Sequence, residues 1–133
     1  MAYASLARLI AALGETELIE RTDRQGHGVI DQIILADAQG RADREIDGYC
    51  RGRYPVPFSP VPDDVADRAV DLTRFYLYSE GAPEWVREGY DAAVAWLAGV
   101  SAGRIQLPSV APATATDNLA FFQADPRRGW AAT

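Results

Sequence analysis

Apolar residues recur at three-and-four spacing over most of this chain, and the breaks between the runs are chemically marked. Leu6, Leu9, Ile10 and Leu13 share one side of a short helix. Ser5 is placed to cap its start and Gly14 to stop it. A second short helix is expected over Glu15 to Arg21. Asp31 then reads as the N-cap of a longer helix reaching about Arg51, with Leu35, Ala38, Ala42, Ile46 and Tyr49 as its stripe. Gly40 and Gly48 weaken it locally. Asp63 and Asp64 complement another helix start. Two stripes follow, Val65, Ala69, Leu72, Tyr76 and Ala66, Val70, Thr73, Leu77, so this helix is apolar over a wide arc and should be central. Gly81-Ala82-Pro83 ends it, and Pro83 is expected to begin the last long helix. That helix carries Val86, Tyr90, Ala93, Leu97 and Val100 as a core stripe. A second stripe, Trp85, Gly89, Ala92, Trp96 and Gly99, lies about 100° round from it.

Between the third and fourth helices the chain reads Tyr54-Pro55-Val56-Pro57-Phe58-Ser59-Pro60-Val61-Pro62. Proline donates no backbone hydrogen bond and drives the residue before it out of helical conformation. Pro55, Pro57, Pro60 and Pro62 therefore predict an extended strut joining two helical halves, with Tyr54 and Phe58 holding the halves together. The fold class is mainly α: a small bundle of about five helices, the strut, and a long C-terminal arm. Residues 1–103 are read as the helical domain. From 104 to 133 the helical period is lost and Pro, Ala and Thr dominate. That arm retains Phe121, Phe122 and Trp130 with Arg127 and Arg128, a composition that orders on a partner.

The 133 residues suit one domain with a modest core. No apolar run is long enough to span a bilayer, and the start lacks the basic-then-apolar order of a secretory signal, so no membrane role is expected. Every basic residue is arginine. The net charge of −6 argues against broad binding of nucleic-acid phosphates. It is uneven: residues 1–103 carry −7, with 10 Arg against 17 acids, and residues 104–133 carry +1. An acidic body suits a conduit through which DNA slides without sticking and suits many cytoplasmic proteins equally well, so alone it decides little.

Candidate chemistry is sparse. Asp23-Arg24-Gln25-Gly26-His27-Gly28-Val29-Ile30-Asp31 resembles a worn EF-hand loop, with Gly28 at the turn and Ile30 at the apolar eighth position. Gln25 and His27 replace good ligands, however, and Ile34 stands where the bidentate glutamate belongs. The expected role is a glycine-rich turn leading into the Asp31 cap, with no metal. His27, the only histidine, reads as a surface loop residue and Cys50 as a small core residue. A single cysteine excludes an internal disulfide. Asp43, Glu45 and Asp47 read as solvated helix surface beside Arg41, Arg44 and Arg51. No serine sits in a nucleophile elbow and no glycine loop suits a phosphate, so neither catalysis nor a cofactor is expected. Three helices of this size cannot easily hide every ring of the body, and rings left outside mark protein contacts. Trp85 and Trp96, about three turns apart on one helix face floored by Gly and Ala, are the expected interface pair.

The order of these pieces resembles one family. The opening Met1-Ala2-Tyr3-Ala4-Ser5-Leu6, then Gly14-Glu15-Thr16-Glu17-Leu18-Ile19, the loop Thr22 to Asp31, the proline strut and Arg74-Phe75-Tyr76-Leu77-Tyr78 are similar to the small head–tail adaptor (connector) proteins of Mu-like phages and prophages. The resemblance covers roughly the first hundred residues. It implies a structural virion protein, present in the host cytoplasm during assembly and in the phage neck afterwards. It implies a homo-oligomeric ring of twelve copies, docked on a portal protein, offering a surface to tail or neck proteins while DNA passes through. The arm, with Phe121, Phe122, Arg127, Arg128 and Trp130, would reach the portal or a neighbouring subunit. The alternatives from other classes are a small helical binding module, such as a regulator or antitoxin-like partner, and a calcium-responsive protein using the worn loop.

Overall fold

A computed structural model describes residues 2–78 and 80–112. It contains five helices in chain order: α1 Leu6–Leu13, α2 Glu15–Thr22, α3 Gln32–Cys50, α4 Asp63–Leu77 and α5 Glu84–Ser101. There is no strand among the described residues. The class is all-α, as the periodicity predicts.

The helix ends follow local chemistry. The Ser5 hydroxyl accepts from the Arg8 amide, and an Asp31 carboxylate oxygen accepts from the amides of Ile33 and Ile34. Each satisfies donors that a helix start leaves open. Gly14, at φ 89, ends α1 and leads directly into α2. Such a backbone conformation suits glycine. Pro83 stands one position earlier than expected. It is the N-cap of α5, and its carbonyl accepts from Val86 and Arg87. A missing N–H is harmless at either position.

The core is the seam of α3, α4 and α5, with the α1–α2 pair laid against α4 and α3. Leu35, Ala38, Ala42, Ile46 and Cys50 of α3 are buried. They meet Val65, Ala69, Leu72 and Leu77 of α4 and Ala93, Leu97 and Val100 of α5. The wide apolar arc of α4 is explained by its central place: seven of its residues are buried. Burial in this apolar seam pushes the Cys50 thiol up to about 11, and nearby Asp47 adds to the effect. No described helix is long and apolar enough to cross a membrane.

The proline segment is a series of bends, with cis peptide bonds at Val56–Pro57 and Ser59–Pro60. It leads from α3 into α4 while placing Tyr54 and Phe58 in the core.

Past α5 the chain folds back. Gly103, at φ 83, turns it, and the amides of Arg104 and Ile105 donate to the Gly99 carbonyl. Ile105 then lies on Gly99, where an added Cβ would sit 2.7 Å from its Cδ1. Leu107 is buried. Periodicity gave no sign of this packing, because these residues follow no helical repeat.

Candidate interaction surface

Two aromatic groups flank the helical seam. The first joins the chain start, the proline segment and the turn after α5. Tyr3, Tyr54 and Phe58 are all nearly inaccessible. The Phe58 ring lies 5.8 Å from Tyr3 and 6.4 Å from Tyr54. The Tyr3 hydroxyl accepts from the Phe58 amide and donates to Asp47 at 2.6 Å. The Tyr54 hydroxyl accepts from the Leu107 amide at 2.9 Å. Each buried hydroxyl thus satisfies a backbone donor outside the helices, Phe58 in the proline segment and Leu107 in the turn after α5. Burial, followed by the bond to Asp47, holds the Tyr3 phenol well above its usual range.

The second group surrounds the C-terminal half of α4. Phe75 stacks on Tyr90 of α5 at 4.1 Å, and Tyr76 meets Phe75 edge-on at 5.6 Å. Glu45 of α3 accepts from the hydroxyls of both Tyr76 and Tyr90. Guanidinium groups cover the outer faces: Arg21 over Tyr78 at 4.7 Å, Arg41 over Tyr76 at 4.5 Å, Arg74 over Trp85 at 4.4 Å and Arg87 over Phe75 at 5.7 Å. An arginine over a ring is attracted by its π face and leaves one edge of the pair in water.

Arg74 also donates through Nε to Glu17 Oε2 at 2.9 Å, and its Nη2 pairs with the other carboxylate oxygen. The Tyr78 hydroxyl donates to the same carboxylate. Burial is the strongest single influence on Glu17 and opposes its charge. The bonds from Arg74 and Tyr78 and the charge of Arg21 together outweigh it, so the carboxyl stays below its ordinary range.

Trp85 is 53% exposed at the start of α5, with the Arg74 guanidinium over it. Trp96, further along α5, is half-buried against the core under Arg68 of α4, at 5.2 Å. The helix carrying Phe75 and Tyr76 therefore covers these two rings unequally. Gly99, expected as open floor beside them, is occupied by Ile105 of the same chain, because Gly103 turns the chain back over α5. Phe121, Phe122, Arg127, Arg128 and Trp130 lie outside the described residues.

Three carboxylates depart from their expected solvated role. Asp47 accepts from the Tyr3 hydroxyl, Asp43 from the Tyr3 amide, and Glu45 from two phenols. None forms an ion pair with Arg41, Arg44 or Arg51 among the described residues. Tyrosines distant in sequence claim them, which helix spacing alone could not reveal. The calcium-like loop closes on itself. Asp23 accepts from the amides of His27 and Gly28, and those bonds hold its carboxyl below the usual range. The Thr22 hydroxyl accepts from the Asp31 amide and ties the loop's two ends. His27 is exposed.

Comparison with known proteins supplies the setting. The chain is 28% identical over 78 residues to the Mu-like prophage FluMu protein gp36 of Haemophilus influenzae, covering 59% of this chain and 55% of that protein. The chain thus spans about half the length of that relative. It is 29% identical over 131 residues to gene product J of Escherichia phage Mu, covering 95% of this chain and 92% of that protein. The family described as Bacteriophage Mu, Gp36 matches residues 3–123, nearly the whole chain, so this protein belongs to the phage Mu Gp36 family.

Proposed function

We propose that this chain is a head–tail adaptor subunit of a Mu-like phage. Copies form a ring, of twelve in register with the portal above, that docks on the portal protein and offers its lower face to tail or neck proteins. DNA passes through without specific binding. The protein acts in the host cytoplasm during assembly and in the virion neck afterwards, by contact alone and with no cofactor.

Family membership supports the phage setting. The structural observation that carries the reading is the state of Trp85: a large ring, 53% exposed, held on a rigid helix by an arginine that is itself paired to Glu17. A fixed, half-exposed tryptophan beside arginines has the composition of an interface anchor. Trp96 extends the contact along α5, and the arm bearing Phe121, Phe122, Arg127, Arg128 and Trp130 supplies a second attachment to portal or neighbour. The acidic balance of residues 1–103 suits a wall that does not retain DNA.

Removing this gene from the phage tests the reading. DNA-filled heads and separate, finished tails should accumulate, and supplying the chain should join them. Tailed, infectious particles made without it would contradict the proposal.

A further inference from the structure

A ring whose subunits meet head to tail needs two different, complementary patches on each copy. The charge distribution around α4 supplies such a pair. At the C-terminal end of α4, an open groove of about 460 Å³ is lined by Phe75, Tyr76, Tyr78 and Ile34, with Arg24 and Arg41 at its edges. Arg21 and Arg87 stand over the adjoining rings. Among the described residues, none of these four arginines makes an ion pair. They arrive from α2, the following loop, α3 and α5, so the charge preference of one helix end does not explain their convergence. Asp37 is the one carboxylate lining the groove. Glu17, which the charge of Arg21 helps hold ionised, and Asp37 offset part of it, yet in a chain of net charge −6 positive charge still gathers here beside aromatic surface.

The opposite end of α4 has the reverse character. Asp63, Asp64 and Asp67 are exposed, and Arg8 alone bridges Asp63 and Asp67. Fifteen residues separate the two patches by roughly 21 Å along the helix axis.

We propose that the arginine–aromatic groove of one copy receives the acidic start of α4 from the next copy, making this the contact that closes the ring. The inference rests on the ring reading above and adds which two faces meet. The rings supply apolar area and the guanidinium groups bind the carboxylates in fixed geometry. The sign of the charges sets the direction of assembly and excludes groove-to-groove pairing.

The test uses the full chain in two reversed forms, Arg24→Glu/Arg41→Glu and Asp63→Arg/Asp64→Arg, with folding checked by thermal melts. Association is followed by native mass, alone and on portal rings. All four substituted positions are exposed, so both forms should stay folded, with small losses in Tm from the Arg8–Asp63 pair and the Arg41–Tyr76 contact. If the aspartate pair proves destabilising, Asp64→Arg alone replaces it, leaving the bridge from Arg8 to Asp63 and Asp67 intact. Each form by itself should associate about tenfold or more weaker than the parent. Mixed in equal amounts, they should recover rings of alternating copies, since every junction then joins opposite charges. Rising salt should weaken the parent ring. Parent rings with unimpaired association of either reversed form would overturn this pairing while leaving the ring reading intact. So would failure of the mixture to recover assembly. DNA binding by the parent chain that the Arg24→Glu/Arg41→Glu form loses, with rings unchanged, would assign the groove to nucleic acid and overturn the inference. A parent chain that never associates, alone or on the portal, would instead overturn the ring reading itself.

Discussion

The aromatic group around Phe58 and the one around Phe75 use the same residue types and meet opposite fates. Around Phe58 the tyrosine hydroxyls turn inward, accept from the amides of Phe58 and Leu107, and leave the rings nearly inaccessible. Around Phe75 the hydroxyls donate to Glu17 and Glu45, and arginines lie across the outer faces. The difference follows from what surrounds each ring. Backbone outside the helices, in the proline segment and in the turn after α5, has amides that need buried acceptors. Continuous helices have none to offer, so the hydroxyls around Phe75 bond to carboxylates without accepting from a backbone amide, whereas Tyr3 bonds both to Asp47 and to the Phe58 amide. The first group is a structural hub. The second is a surface held rigid and left partly open, the condition of a binding face.

The contrast breaks most visibly at Phe58. Phe58→Ala should cost about 3–5 kcal/mol in a denaturant melt, because it opens a cavity at the meeting point of the chain start and the proline segment. A change near zero would mean the hub does not hold these segments. Next comes the Glu17–Arg74–Tyr78 cluster. Glu17→Gln should lose about 1–3 kcal/mol at neutral pH. The Glu17 carboxyl sits lower in the folded chain than in the unfolded one, so its contribution is complete above the unfolded value. It fades as pH falls through the folded one. Parent and variant should therefore converge in acid, and a gap that persists there would contradict the assignment.

Smaller effects sharpen the comparison. Tyr54→Phe should cost about 1–2 kcal/mol by leaving the Leu107 amide without its acceptor, and exchange at that amide should quicken. Trp96→Ala should cost about 2 kcal/mol, whereas Trp85→Ala should change stability by about 0.5 kcal/mol or less, since its ring is more than half in solvent. Equal costs would dissolve the distinction between covered and open rings on α5. The smallest expected effect is a gain. Burial, with nearby Asp67, holds the Asp71 carboxyl above its usual range against the pull of Arg68 and Arg74. Its charge therefore opposes folding at neutral pH. Asp71→Asn should raise Tm slightly there, and the gain should vanish as the parent residue protonates in acid.

Much of the fold is legible from local pattern. Ser5, Gly14, Asp31 and Pro83 mark helix ends through backbone chemistry that acts within a few residues, and the stripes of α3, α4 and α5 identify their buried faces. What local pattern could not carry is partnership across the fold. Asp47 reads as solvent-facing until Tyr3, 44 residues away, is found on it. Glu45 reads the same way until Tyr76 and Tyr90 converge. Leu107 follows no repeat, and only the turn at Gly103 and the Tyr54 hydroxyl give it a place. The open face was half visible: Trp85 and Trp96 stand out by spacing, but their arginine neighbours come from α4, and spacing within α5 is silent about them.

Imaging the neck of intact particles by electron cryomicroscopy tests the central claim most directly. The account predicts a ring of this chain between portal and tail, with the Trp85 face and the groove beside Phe75 buried against a neighbouring copy. A neck lacking this chain, or a chain bound there singly with that face in open solvent, would contradict it.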